Sequence, residues 1–298
     1  MPLRDVLLAL LVTVVWGTNF VVIHVGLGGA PPLLLLTIRF VAVLLPALFL
    51  VPRPEVPLRQ LALVGLLTSA GQFSMLYLGL AAGMPAGLAS LVLQAQVLLT
   101  LLVSALVLGE RPDRRQSAAV ALGAVGLVVV GLGRSAATPL TALVLCVGAA
   151  FSWACGNVVT RRLRVESGLS LTIWSATVVP VPVYLLSMWV EGPGAVGWLV
   201  THLTWQVVAS TAYTAYLSSV FGFGLWNTLL ARHPAAQVTP FALGVPIFGM
   251  LAAWLFLHEV PGRLELLGGL VVLVGVAVAV LRPGMRSAAV SAPVPAPR

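Results

Sequence analysis

Apolar positions in this chain fall in long, nearly unbroken runs, not in the short alternation that marks a half-buried strand or the narrow stripe of a surface helix. Ten runs are long enough to cross a hydrocarbon layer about 30 Å thick: residues 5–27, 32–51, 59–80, 86–108, 116–133, 139–159, 169–190, 204–230, 234–257 and 263–281. Each predicts a helix, because a helix satisfies its own backbone N–H and C=O groups where no water can reach them. The breaks carry loop chemistry: Pro52-Arg53-Pro54, Glu110 to Arg115, Arg161 to Ser167, and Glu191-Gly192-Pro193. The first run is longer than the apolar stretch of a signal peptide, lacks a clear small-x-small cleavage site and is followed by further runs, so it reads as the first span. The tail 282–298 is small, polar and proline-rich, which predicts disorder.

The pattern repeats. From Gly83 to Leu132 and from Arg232 to Leu281 the chain runs in register at a constant offset of 149, Pro85-Ala86 against Pro234-Ala235. Further along, Leu108, Glu110, Pro112 and Arg114 match Leu257, Glu259, Pro261 and Arg263, and Gly126 matches Gly275. The beginnings of the halves echo each other more loosely, Trp16-Gly17-Thr18-Asn19 against Trp153-Ala154-Cys155-Gly156-Asn157. Each half, 5–133 and 139–281, holds five spans, and an odd number places the second copy upside down relative to the first. The expected fold is therefore an all-α integral membrane protein of ten transmembrane helices in two inverted repeats.

Composition agrees. Sixty per cent of the 298 residues are apolar and only 8% are charged, against roughly 25% charged in soluble domains. The net charge of +8 comes from arginine alone. With the N-terminus placed in the cytoplasm, the segments on that side hold Arg4, Arg53, Arg59, Arg111, Arg114, Arg115, Arg161, Arg162, Arg164, Arg232, Arg282, Arg286 and Arg298, and the opposite side holds only Arg134 and Arg263. That asymmetry is the positive-inside pattern, not the basic face of a nucleic-acid binder, and it predicts both termini in the cytoplasm. Cys146 and Cys155, about 13 Å apart on one helix, are too distant for a disulfide and read as packing residues.

The eight carboxylates, Asp5, Glu55, Glu110, Asp113, Glu166, Glu191, Glu259 and Glu265, all map to loops or helix ends. A buried carboxylate would mark a proton or cation pathway, so neither a cation-gripping drug exporter nor carboxylate-based coupling is expected. His24, near the end of the first span, is the one titratable candidate for proton coupling, beside its plainer reading as an interfacial histidine. What the spans do hold near mid-depth is neutral: Trp16 and Asn19, Gln72, then Ser90, Gln94 and Gln96, Trp153 and Asn157, and Tyr213, Tyr216, Trp226 and Asn227. An amide facing lipid goes unsatisfied at a cost of several kcal/mol, so these groups either bond helices together or line a polar cavity; taken as a set across both halves they favour a central cavity. Ser90 and Gln94, four residues apart, share a face, whereas Gln96 lies about 200° round the helix from Gln94 and is expected to bridge to a neighbour. Trp16 with Asn19, and Trp153 with Asn157, form repeat-related faces suited to opposite walls. Arg39 is the one charge well inside a span; it reads either as an anchor for a substrate carboxylate or as an arginine snorkelling to the interface. Gly148, Ser152 and Gly156 make a small-residue stripe for close helix contact, and Pro46, Pro180, Pro182, Pro240 and Pro246 are candidate kinks or hinges. No metal, cofactor or nucleic-acid partner is expected, and no cluster of Asp, His or Cys suits an intramembrane enzyme.

Several stretches resemble the EamA family of the drug/metabolite transporter superfamily: Trp16-Gly17-Thr18-Asn19-Phe20, Arg39-Phe40, the run from Gly83 to Gln96, Gly109-Glu110-Arg111, and Ala150 to Asn157. The runs Met84 to Gln96 and Phe151 to Asn157 are similar to the amino-acid metabolite exporters of that family. The resemblance implies ten helices in two family repeats around a central cavity, in a bacterial cytoplasmic membrane, exporting small molecules such as cysteine or O-acetylserine. The alternative is a broader exporter of hydrophobic or aromatic compounds, for which Trp16, Trp153 and Trp226 would matter more than the amides.

Overall fold

A computed structural model describes residues 1–133, 138–163 and 167–281. Arg134, Arg164, Glu166 and the tail 282–298 lie outside the described residues, as does the side chain of Pro46. Among the described residues every regular element is helical. The spans are α1 (Leu3–Leu27), α2 (Pro32–Leu50), α3 (Leu58–Ala81), α4 (Ala86–Leu108), α5 (Arg114–Gly133), α6 (Leu140–Leu163), α7 (Gly168–Ala176 and Pro180–Val190, bent by 41°), α8 (205–232), α9 (235–257) and α10 (Arg263–Val280). A short helix, Ala195–Thr201, bridges α7 and α8. Among the described residues eight helices are long and apolar enough to cross a membrane, and α7 taken as one bent span makes nine. The remaining run of the ten, the eighth, forms α8, continuous over 205–232, and its apolar character is diluted by a hydroxyl-rich stretch.

Proline opens many of these helices: Pro2, Pro57 and Pro85 precede α1, α3 and α4, and Pro32 and Pro180 are first residues of helical segments. A first-turn N–H has no helical partner anyway, so its loss costs little there. Pro180 sits at the 41° bend of α7, and Pro240 in the tightened segment Thr239–Gly244 of α9. The α3 and α8 helices, equivalent in the two halves, each loosen into a π-helical stretch, Leu66–Gly71 and Tyr213–Gly222.

The mates run antiparallel. Ala86 at the start of α4 lies beside Glu259 just past the end of α9, Leu33 at the start of α2 beside Glu191 at the end of α7, and Gly133 at the end of α5 beside Leu264 at the start of α10. Equivalent helices of two copies that pass each other head to tail are the signature of inverted repeats. Asp5 at the start of α1 meets His233 at the α8–α9 junction, which puts the starts of α1 and α9 on one face. The chain end of α10 reaches the same face, called near here; the face with Ala86 and Glu259 is the far one.

Small residues set the closest approaches, as expected where lipid tails supply no hydrophobic drive between helices. A Cβ added at Gly126 of α5 would come within 2.7 Å of the Gly268 carbonyl and of Val272 on α10, and one at Gly275 within 2.9 Å of the Ala119 carbonyl. The stripe read on α6 faces α3: Gly148 against Met75, Ser152 donating to the Leu67 carbonyl, Gly156 against Thr68. Large apolar side chains such as Phe49, Leu106 and Trp189 remain exposed on the periphery, where acyl chains cover them. Substituting Gly126 with Val is expected to destabilise the detergent-solubilised protein by about 1–3 kcal/mol, read as a lower melting temperature. Gly224→Ala, whose methyl meets no neighbour within 4 Å, is expected to leave it unchanged.

Candidate functional site

The two helices at the repeat interface, α4 and α9, are both interrupted at mid-length and at equivalent places. In α4 the α-helical turns stop at Val92 and resume at Ala95; in α9 the segment Thr239–Gly244 tightens to 3₁₀. Bonds of the i to i+3 type fill the first gap, Gln94 N–H to Leu91 C=O at 3.1 Å and Val97 N–H to Gln94 C=O at 3.1 Å. The breaks meet: Gln94 Nε2 donates to the Ala242 carbonyl at 2.8 Å. Discontinuous helices at a repeat interface are where inverted-repeat transporters place polar backbone beside their substrate.

On the far side of this crossing α4 and α9 are tightly packed. Ser90 is 1% exposed, donates to the Gly87 carbonyl at 2.6 Å and lies against Gly249, where an added Cβ would sit 2.5 Å from its hydroxyl. A Cβ at Gly17 of α1 would strike Phe248 and Gly249, so α1, α4 and α9 touch there. The Ser90–Gln94 face thus turns to α9 in this conformation and is taken up by packing. Towards the near side their main neighbours differ: the lower half of α4 packs on α5, α6 and α10, while the start of α9 packs on α1 and α10. Gln96, from the other face of α4, bridges to a neighbour as its angle requires; its Oε1 accepts from Asn157 Nδ2 of α6 at 2.8 Å, and the same amide reaches Thr100 Oγ1 at 3.3 Å. Trp153, a turn before Asn157, is half-buried against the main core.

A second set gathers on the π-helical stretch of α8. Trp16 Nε1 donates to the Ser218 carbonyl at 3.1 Å, and its ring lies 5.0 Å from that of Phe223 and 5.2 Å from that of Trp226. Tyr213 donates its hydroxyl to the Val15 carbonyl at 3.0 Å. One residue along from Ser218, Ser219 Oγ accepts from Arg39 Nη2 at 3.0 Å and donates to the Thr214 carbonyl, five residues back. The widened π turn is what brings that hydroxyl into reach. Consecutive residues of α8 therefore hold an indole from α1 and a guanidinium from α2.

Arg39 does not snorkel. It is 1% exposed, its guanidinium carbon lies 4.3 Å from the centre of the Phe73 ring and 5.6 Å from that of Phe40, and Nη1 donates to Tyr77 Oη at 3.3 Å. Its Nε has no partner. Among the described residues no carboxylate pairs with it; the ion pairs present are Arg161–Glu110 and His233–Asp5. The stem of an arginine can carry its head out only where the path runs to water; here α3 and α8 close over it. The cage of Phe73, Tyr77 and Ser219 was missed in the sequence. Phe73 and Tyr77 do stand four apart, but only the packing of α3 on α2 shows what they face.

Asn19 is buried with Oδ1 unpartnered, and Gln72 is buried where the π stretch of α3 ends. Asp5, Glu191, Glu259 and Glu265 stand at helix ends with partners: Asp5 on His233 at 2.6 Å, Glu191 on the N–H groups of Leu33 and Leu34, Glu259 on those of Ala86 and Gly87, Glu265 on that of Gly262. His24 lies in the last turn of α1, its Nδ1 without a partner. Among the described residues no three His, Cys, Asp or Glu side chains gather to hold a metal.

Comparison with known proteins matches this architecture. Residues 3–132 and 140–281 each match the profile described as the EamA-like transporter family. A protein of Salmonella typhimurium named "Probable amino-acid metabolite efflux pump" is 40% identical over 281 residues, 92% of this chain and 94% of that one, and its Escherichia coli K12 counterpart is equally similar. A "Probable terminal-alkyne amino-acid exporter" of Streptantibioticus cattleyicolor is 31% identical over 93% of both chains. Among the solved structures that share the fold is one with a TM-score of 0.58 at 19% identity, over 93% of this chain and 96% of that one. With two profile matches that together span nearly all its length, and a helical, inverted-repeat fold to match, the chain belongs to the EamA-like transporter family: it is a multi-pass membrane transporter and not an enzyme.

Proposed function

We propose that this transporter exports small neutral amino acids or their metabolites, of the cysteine and O-acetylserine class, across the bacterial cytoplasmic membrane by alternating access, with both termini in the cytoplasm. The observation that carries this is Arg39, a buried cation with one free N–H and, among the described residues, no carboxylate to balance it. A charge in that position is costly unless an anion arrives to pair with it, and the α-carboxylate of an amino acid is such an anion, with the Tyr77 hydroxyl beside it as a further donor. The ammonium end needs no acid: the ring faces of Trp16, Phe223 and Trp226 attract a cation by about 0.5–2 kcal/mol, and they reach α8 within a few residues of Ser219. Trp16, Asn19, Arg39, Gln72, Tyr213 and Trp226 would then line or support the site. Ser90 and Gln94 would hold the α4–α9 junction over it, and Trp153 and Asn157 the opposite wall. The names of the relatives support export of amino-acid metabolites, and the arginine asymmetry supports the orientation.

The same aromatic cluster favours a second reading, export of hydrophobic or aromatic compounds, in which Arg39 would be purely structural. Reconstituted or inverted vesicles are expected to accumulate labelled cysteine or O-acetylserine above protein-free vesicles; no accumulation of any amino acid would remove the first reading. Repeating the assay with and without a pH gradient separates proton antiport from facilitated diffusion.

Arg39→Gln is expected to raise KM for a carboxylate-bearing substrate roughly tenfold or more, the scale of one hydrogen bond to a charged group. Arg39→Lys, a point charge without the planar fork, is expected to recover part of that loss. Equal transport of an amino acid and of its methyl ester by the unmodified protein would count against the carboxylate anchor.

A further inference from the structure

Glu259 is bonded to two backbone N–H groups of another helix, Ala86 at 2.8 Å and Gly87 at 2.9 Å. It thereby joins the far end of α9 to the start of α4. A first-turn N–H has no partner within its own helix, and a carboxylate held by two of them makes charge-assisted bonds, roughly twice as strong as neutral ones. Beneath it the two helices are packed through Gly87 against Met250 and Ala253, and Ser90 against Gly249.

The repeat supplies the same parts at the other face. The mate of Glu259 is Glu110, at the near end of α4, and the mates of Ala86 and Gly87 are Ala235 and Ala236, which open α9 on the near face. The presentation matches too. The residue before each glutamate is left-handed, Gly109 at φ 67° and His258 at φ 55°, and a left-handed residue there turns the chain back across the end of its helix. His258 is the one non-glycine residue with positive φ among the described residues, so the turn is kept despite its cost to a residue with a Cβ. Glu110, however, is not on α9. It is 43% exposed and pairs with Arg161 of α6 at 3.0 Å, itself 59% exposed, an ion pair of low worth in water. Correspondingly, on that side the lower half of α4 packs mainly on α6, with α5 and α10, and the start of α9 on α1 and α10.

We infer that Glu259 and Glu110 are alternating latches of the transport cycle. Glu259 on the start of α4 closes the far side in the conformation seen here, and Glu110, leaving Arg161, closes the near side by taking the N–H groups that open α9 when the far side parts. Glu191 strengthens the far closure: it accepts from the N–H groups of Leu33 and Leu34 at the start of α2 and from the Ser187 hydroxyl. One repeat thus supplies both far-face carboxylates and the other both receiving helix starts, and the crossing at Gln94 and Ala242 stays as the pivot. The inference rests on the alternating-access reading but not on which substrate is carried.

The test is a pair of spin-label distances in proteoliposomes, on the full chain with Cys155→Ser and the fully buried Cys146 retained. Labels at Ala81→Cys and Val260→Cys report the far face, and labels at Leu106→Cys and Arg232→Cys the near face; all four positions are exposed. Glu259→Gln is expected to shift the population roughly tenfold towards a longer far distance with a shorter near one, the change in equilibrium that the loss of one charge-assisted bond produces. Glu110→Gln is expected to leave the resting distances as they are and, added to Glu259→Gln, to prevent the near distance from shortening. Unchanged distances in Glu259→Gln, or near-face closure that persists in the double variant, would overturn the latches. Because these distances need no substrate, a switch seen in vesicles that carry no amino acid would refute the substrate reading alone.

Discussion

Within a bilayer every backbone N–H and C=O must find a partner in the protein, and this chain is organised around the few places where a helix cannot supply one. Helix starts and mid-span breaks are those places. The starts of α4 and α2 are closed by Glu259 and Glu191, carboxylates lent by helices of the other half. The breaks in α4 and α9 are placed against each other, with the Gln94 amide on the Ala242 carbonyl. The π stretch of α8 frees backbone and hydroxyl groups that Trp16 and Arg39 then use. Each of these points is also a junction between repeats.

The same constraint explains the distribution of charge. Carboxylates can enter the protein only where several N–H groups or a cation meet them, and helix ends at the membrane surface offer both. That leaves Arg39 as the exception. Its cage of aromatic faces and two hydroxyls satisfies part of the guanidinium, yet the net charge remains. On the reading proposed above a substrate carboxylate balances that charge, which is why a single buried arginine counts for more there than the larger number of neutral amides.

Packing and polarity divide the work along the chain. Gly126, Gly275 and the stripe from Gly148 to Gly156 let helices approach to backbone contact, so α5 with α10 and α3 with α6 form fixed seams. The α4–α9 pair is different: it is tight on the far face, its near-side halves pack mainly on different neighbours, and an amide crosses its middle. A pair of equivalent helices that is asymmetric in this way has a second arrangement built into its own symmetry. Alternating access needs no more than the exchange of one for the other.

The sequence alone determined the architecture, because it depends on quantities additive along the chain. The run lengths that give the spans, the offset of 149 that gives the repeat, the odd span count that inverts it and the placement of acids at helix ends are all written in one dimension. It also determined that Gln96 leaves the Ser90–Gln94 face, since helical angle follows from spacing. Facing was decided only by tertiary structure. In a chain apolar on all sides no periodicity tells lipid from neighbour, so nothing in the order of residues showed that Arg39 is caged by Phe73, Tyr77 and Ser219 rather than reaching for water, that Ser90 is spent on Gly249, or that Glu259 and not Glu110 holds a helix in this conformation. Those facts belong to contacts between residues far apart in the chain, and the fold had to bring them together.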